Sequence, residues 1–189
     1  MSTNIRILAF SGSARRDSLN RKLLAVAVAS ARAAGAEVTL LDPSDYSLPL
    51  YHGDEEAATG LPPAAAKLVE SLLGHDALLI ASPEYNGFIT PLLKNTLDWM
   101  SRADADPFAD KVAGVVSASP GAFGGMRSAQ LAQQLLLKLG CHVVPDQVCV
   151  PHADRAFDAA GALVDARVQK AVSRLVAALI ATTTQLAVR

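Results

Sequence analysis

The chain is short of cysteine, of net charge and of long apolar runs, and each shortage removes a class of protein. Its 189 residues hold two cysteines, Cys141 and Cys149, without CxxC spacing. That excludes a thiolate zinc site, an iron–sulfur cluster and a disulfide framework. The two thiols read as small buried hydrophobes. The formal net charge is -1, so nothing electrostatic favours nucleic acid or a basic membrane-binding stripe. No apolar segment reaches about 18 uninterrupted residues, so no transmembrane helix is expected. No basic stretch followed by an apolar run opens the chain, which argues against a signal peptide and for a cytoplasmic protein. Several motifs are missing too. There is no GxxxxGK[ST], no GxGxxG and no GxSxG. The four histidines, His52, His75, His142 and His152, are scattered without metal-ligand spacing.

What is present describes a globular chain. Hydrophobic residues make up 51% and charged residues 19%. The length suits one domain, expected to span residues 1–189. Short apolar runs alternate with helical patterns. Ile5–Ser11 reads as a strand, followed by a helix with Leu19, Leu23, Leu24, Ala27 and Ala31 on one stripe. Glu37–Leu41 is a second strand, and Pro43–Pro63 reads as a long irregular surface loop. Then come a helix over Ala64–Gly74, a strand over Ala77–Ala81 and a helix over Thr90–Arg102. Val112–Val116 is the fourth strand, Gly125–Leu139 a helix, His142–Val150 the fifth strand and Leu163–Thr182 the last helix. The strands are apolar on both faces, as a buried parallel sheet requires. Five βα units with right-handed crossovers predict a three-layer α/β sandwich.

In such a sheet, ligands bind beyond the carboxyl ends of the strands. Three loops there are unusual. Ser11–Asn20 leads into a helix N-terminus, which favours an anion. Ser13, Ser18 and Asn20 add donors and Arg15 a full positive charge, so this loop reads as a phosphate cradle. Ser82–Gly87 carries Tyr85, an aromatic body with a polar tip, and Asn86, both suited to the edge of a planar heterocycle. Ser117–Gly125 carries three glycines after Ala118 and Ser119, which permit close backbone approach to a flat ligand. Asp42, after the second strand, reads as a surface residue.

Together these residues carry a resemblance. Gly12-Ser13-x-Arg15-x-x-Ser18-x-Asn20, Pro83-Glu84-Tyr85-Asn86 and Leu93-Lys94-Asn95-x-x-Asp98-Trp99 resemble the NADPH-dependent FMN reductase family over roughly Ile5 to Val150. The resemblance implies a flavodoxin-like fold with strand order 2-1-3-4-5. It implies FMN as cofactor, its phosphate held by Ser13, Arg15, Ser18 and Asn20 with Leu19 beside them. Pro83, Glu84, Tyr85 and Asn86 would line the isoalloxazine, and Ser117, Ala118, Ser119 and Gly121 would close the other side. It further implies NADPH or NADH as hydride donor and a small-molecule acceptor: a quinone, azo compound, chromate or free flavin. No side-chain acid, base or nucleophile is required, and no catalytic residue is named. A homodimer or homotetramer is expected, with alanine-rich helices and Trp99 as a candidate subunit face, while Leu93, Leu97 and Trp99 read as either core or subunit-interface residues. Two departures, Phe88 and Thr90-Pro91, reshape the cavity over the flavin. The rival classes are a flavodoxin-type carrier that does not oxidise NAD(P)H, which is usually far more acidic, and a phospho-acceptor receiver. The receiver needs acids where this chain has Ser82 and Ser11-Gly12.

Overall fold

A computed structural model describes residues 4–187. Residues 1–3 and 188–189, the ends of the expected domain, lie outside the described residues. The elements run β1 (Arg6–Ser11), α1 (Leu19–Ala33), β2 (Glu37–Leu41), α2 (Gly53–Thr59), α3 (Pro63–Leu73), β3 (Ala77–Ala81), β4 (Glu84–Tyr85), β5 (Phe88–Ile89), α4 (Pro91–Met100), β6 (Val112–Ala118), α5 (Met126–Lys138), β7 (His142–Val150) and α6 (Ala166–Ala187). Five strands form one parallel sheet in the order β2-β1-β3-β6-β7. Counting only the strands of that sheet, this is the expected order 2-1-3-4-5, the flavodoxin-like arrangement.

Strand alternation sorts the core into two layers. Ile7 and Ala9 of β1, with Leu79 of β3, pack against α1 and α6 through Leu23, Ala27, Leu175 and Leu179. Leu8 and Phe10, with Leu78 and Ile80, pack on the other face against α3, α4 and α5 through Leu68, Leu72, Leu97 and Leu136. Both faces are covered, which is why these strands lack a polar side.

Three expectations need correction. The first concerns Pro43–Pro63, which is not wholly irregular. It contains a short 3-10 turn at Pro43–Asp45 and the helix α2. The acidic residues within it form the first turn of α2, where Asp54, Glu55 and Glu56 meet the positive end of the helix dipole. His52 caps it, its Nδ1 accepting from the Asp54 N–H. The second is the last helix, which begins at Ala166, later than Leu163. Leu163 instead bridges Phe157 across a turn. The third is Ser82–Gly87, which is half of a β-hairpin. Asn86 (φ 52°) and Gly87 (φ 79°) form its two-residue turn between Tyr85 and Phe88. Two successive positive φ values are what a type I′ turn demands, and Asn-Gly supplies them.

Of the two places expected for Trp99, core and subunit face, the structure gives the core. Trp99 is 1% exposed and its Nε1 donates to the Pro49 carbonyl at 2.8 Å. Asn95, one helical turn earlier, donates to the same carbonyl and accepts from the Tyr51 N–H. The third sequence motif therefore straps residues 49–51 onto α4.

Candidate functional site

The carboxyl ends of β1, β3 and β6 meet at one cleft of about 360 Å³. Ser13, Arg15, Asp17, Ser18, Leu19 and Asn20 line it from the β1–α1 segment, Pro83, Glu84 and Tyr85 from the segment after β3, and Ala118, Ser119 and Pro120 from the end of β6. The sequence had singled out all of these except Asp17 and Pro120. A more open hollow of about 490 Å³ shares Ser13, Arg15 and Tyr85 with it and reaches Pro91 and Leu92.

The first loop is tight because it crosses α4 at close range. A Cβ on Gly12 would stand 2.8 Å from the Leu93 Cβ and 3.0 Å from the Pro83 Cδ. Thr90 caps α4 by accepting from the Leu93 N–H, and donates its own hydroxyl proton to the Gly12 carbonyl at 2.7 Å. Ser18 caps α1 by accepting from the Arg21 N–H, and Ser13 accepts from the Arg15 N–H. Both serines are buried, and both use their oxygens as acceptors, leaving the O–H protons for an acceptor in the cleft. Arg15 is exposed and makes no ion pair among the described residues. These groups, with the α1 N-terminus, form a donor-rich lining of the cleft.

Asn20 behaves differently from the expectation. Its Nδ2 donates to the Ala118 carbonyl at 2.8 Å and its Oδ1 accepts from the Ala118 N–H at 3.0 Å. Both faces of its amide are used to join the loop after β1 to the end of β6. It holds the cleft walls together, and one Nδ2 hydrogen remains for a ligand.

Three further expected residues stand off the cleft. The Ser117 hydroxyl is fully buried and donates to the Ser82 carbonyl at 2.7 Å. Asn86 sits exposed in the hairpin turn, where backbone conformation accounts for its presence. Gly121 is exposed, its N–H donating to the Ser119 Oγ. None of the three lines the cavity.

Glu84 lines the cleft, yet its carboxylate is spoken for. Oε1 accepts from Arg127 at 2.9 Å and 2.5 Å, and Oε2 accepts from the Ser128 N–H at 3.4 Å. The N-cap residue of α5, Gly125, has no side chain to cap with. Glu84 supplies that missing cap from another element, placing negative charge at a helix N-terminus. The Arg127 guanidinium also stacks over Phe123, 5.6 Å from its centroid. Arg127 and Ser128 had no signal in the sequence, since only the fold brings the start of α5 beside Glu84. Cys149, half-buried, has its thiol pushed up to about 11 by burial and then by the Glu84 charge. Both causes disfavour the thiolate, the nucleophilic form.

Among the described residues no group of His, Cys, Asp and Glu can hold a metal ion. No helix there is long and apolar enough to cross a membrane. The cleft instead offers an anion the donors of Ser13 and Ser18, the Arg15 charge and the α1 N-terminus.

The comparisons agree with that geometry. The family model for NADPH-dependent FMN reductases matches residues 5–155, and the chain belongs to that family. It is therefore an oxidoreductase. It is 37% identical over 180 residues to an NAD(P)H-dependent FMN reductase of Pseudomonas aeruginosa, covering 95% of each chain. It is 34% identical over 187 residues to an NADPH:quinone oxidoreductase of Arabidopsis thaliana, covering 96% of this chain and 93% of that one. Among solved structures, a flavoenzyme NAD(P)H:(acceptor) oxidoreductase of Paracoccus denitrificans superposes with a TM-score of 0.82 at 29% identity. That match covers 96% of this chain and 98% of the other.

Proposed function

We propose that the protein transfers reducing equivalents from NAD(P)H through FMN to a small acceptor such as a quinone, azo compound, chromate or free flavin. The observation that carries the reading is the donor-rich lining of the cleft at the ends of β1, β3 and β6. The β1–α1 segment offers it hydroxyl donors, the Arg15 cation and a helix N-terminus. Pro83–Tyr85 and Ala118–Pro120 line the same cleft.

FMN has the matching anion, a phosphate joined by a ribityl chain to a flat ring system. In this assignment Ser13, Arg15 and Ser18 take the phosphate and Leu19 packs beside the ribityl chain. Asn20 fixes the walls and lends its remaining hydrogen. Pro83, Glu84 and Tyr85 present backbone to one edge of the ring, and Ala118 and Ser119 close the opposite side. When bound, FMN supplies the two-electron chemistry, and the protein supplies position and electrostatics. The residues themselves bind, orient and exclude water. Tyr85, 48% exposed, leaves one side of the cleft open for donor and acceptor to take turns.

The chain forms one domain in this reading, works in the cytoplasm and assembles as a homodimer or homotetramer. Size-exclusion chromatography with light scattering tests the assembly. The functional test is an absorbance spectrum of the purified protein, then anaerobic titration with NADPH and NADH. The expected result is a flavin spectrum that bleaches with the nicotinamide. A folded protein that remains colourless after added FMN overturns the reading. Arg15→Ala is expected to weaken FMN by about tenfold and to leave riboflavin, which lacks the phosphate, unaffected.

A further inference from the structure

Behind Pro83–Tyr85 lie three linked serine hydroxyls, one of which, Ser128, stands outside every loop and motif the sequence singled out. Ser117 donates to the Ser82 carbonyl at 2.7 Å. Ser82 Oγ and Ser128 Oγ are 2.7 Å apart, and Ser128 Oγ donates to the Pro83 carbonyl at 2.7 Å. The single Ser128 proton is committed to Pro83, so Ser82 must be the donor to Ser128. All three side chains are fully buried, with Ser82, Ser117 and Ser128 at 0% exposure. The close approach needs Gly125, because a Cβ there would fall 2.0 Å from the Ser117 Oγ.

The direction of this chain has a consequence for the cleft. The Pro83–Glu84 peptide is trans, as no cis bond occurs among the described residues. Its carbonyl and its N–H therefore point in opposite directions. With the carbonyl pulled inward to Ser128, the Glu84 N–H faces away from α5. The hairpin does not use that N–H. In a two-residue hairpin the residues flanking the turn, here Tyr85 and Phe88, exchange both ladder bonds. The next pair, Glu84 and Ile89, exchanges none.

We propose that Ser128 is a positioning residue for the ring-binding wall: its hydroxyl holds the Pro83 carbonyl inward and so turns the Glu84 N–H outward as a donor to the cofactor's ring edge. The proposal rests on the FMN reading for the identity of the ligand, and on the serine chain for the geometry. Ser128 touches no ligand; it acts through the peptide it holds.

The test uses the flavin-free protein and its binding of FMN and riboflavin by fluorescence quenching. Ser128→Ala is expected to weaken both flavins by the same factor, about tenfold, because the ring end is common to both. Ser128→Cys keeps the volume with a weak donor, shifts both in the same direction and carries the comparison should the alanine variant not fold. Thr183→Ala, which removes a buried hydroxyl bond to Leu179 in α6, is the control for general destabilisation and is expected to leave both affinities unchanged. Hydrogen exchange in the absence of flavin gives a second readout. The Tyr85 and Phe88 amides are expected to exchange at least about threefold faster in Ser128→Ala and unchanged in Thr183→Ala. Wild-type affinity for both flavins in Ser128→Ala, a penalty confined to FMN, or the same losses in Thr183→Ala would each overturn the proposal. If the wild type binds neither flavin, the FMN reading falls, and the exchange rates alone decide whether Ser128 holds the hairpin.

Discussion

Asn20 joins two walls of the cleft that lie 98 residues apart in the chain, and Asn20→Ala tests how much that joint contributes. The substitution removes two buried hydrogen bonds and leaves the N–H and C=O of Ala118 without partners. A net hydrogen bond contributes about 1 kcal/mol, and a stranded buried polar group costs about 1–3 kcal/mol. Water from the adjoining cleft can reach part of the gap, so the expected loss is about 2–4 kcal/mol. In a domain of this size that lowers Tm by roughly 5–15 °C. Urea unfolding of flavin-free protein measures it, with equal m-values required for the comparison. The same variant is expected to bind FMN about tenfold more weakly, since the Ala118 backbone is no longer held.

Asn20→Asp sharpens the argument, because it fills the same space. A carboxylate still accepts from the Ala118 N–H but sets a second oxygen against the Ala118 carbonyl. Burial and that carbonyl both raise the folded-state pKa of the new acid above its unfolded value of about 3.9. A raised folded pKa means stability that is fully present below the unfolded pKa and is lost as pH rises through the folded one. Asn20→Asp is therefore expected to be at least as unstable as Asn20→Ala at pH 7 and to recover in acid, where its O–H replaces the lost donor. A loss below about 0.5 kcal/mol for Asn20→Ala, or wild-type stability for Asn20→Asp at pH 7, would refute the reasoning.

Three other outcomes follow from the same geometry. Gly125→Ala and Gly87→Ala both place a side chain at positive φ (81° and 79°), at about 1–2 kcal/mol each. Only at Gly125 does the new Cβ strike the Ser117 Oγ at 2.0 Å, whereas the nearest atom at Gly87 is 3.7 Å away. Urea unfolding should rank Gly125→Ala as far the worse, and equal losses would deny the close packing of α5 on β6. Burial raises the Cys141 thiol to about 12, and burial with the Glu84 charge raises Cys149 to about 11. Iodoacetamide at pH 8 should label both slowly in the native protein and quickly in urea, as read by mass spectrometry. Glu56 accepts from Arg102 and Tyr51, and those hydrogen bonds, the Arg102 one first, hold its carboxyl below its ordinary value of 4.5. A depressed folded pKa contributes stability that is present above 4.5 and lost as pH falls through the depressed value. Glu56→Gln should flatten that part of the acid-unfolding curve, and an unchanged slope would remove Glu56 from the acid response.

Much of the fold was legible because two-sided burial leaves a plain mark. Ile7 and Ala9 face one helical layer while Leu8 and Phe10 face the other, so the strand reads as an unbroken apolar run and can only be internal. The α1 stripe was equally plain, with Leu23, Leu24, Ala27 and Ala31 all buried. The misses have a common cause, which is that local composition does not say what a polar residue is for. Asp54, Glu55 and Glu56 look like loop acidity until a helix N-terminus is placed among them. Asn86-Gly87 reads as a turn, but the pairing of Tyr85 with Phe88 depends on where the chain goes next. Arg127 and Ser128 reach the site only because α5 packs against the hairpin.

The same limit explains why the motif residues divide as they do. Ser13, Arg15, Ser18 and Tyr85 line the cleft. Ser117, Asn95 and Trp99 do not, and Asn86 sits in a turn. What the second group shares is a backbone partner or a backbone conformation: Asn95 and Trp99 hold Pro49, Ser117 holds Ser82, and Asn86 opens the hairpin turn. Asn20 belongs to both groups, lining the cleft while it grips Ala118. A flat ligand met largely by backbone groups requires the backbone to be held still from behind, and that work falls to side chains that never meet it. Such residues make a motif recognisable without disclosing the acceptor. Phe88, 54% exposed, pairs with the cleft-lining Tyr85 across the hairpin and carries no such duty in its side chain. Phe88 is also one of the two departures read in the sequence resemblance, and substitutions there are expected to alter the preference among acceptors before they alter the binding of FMN.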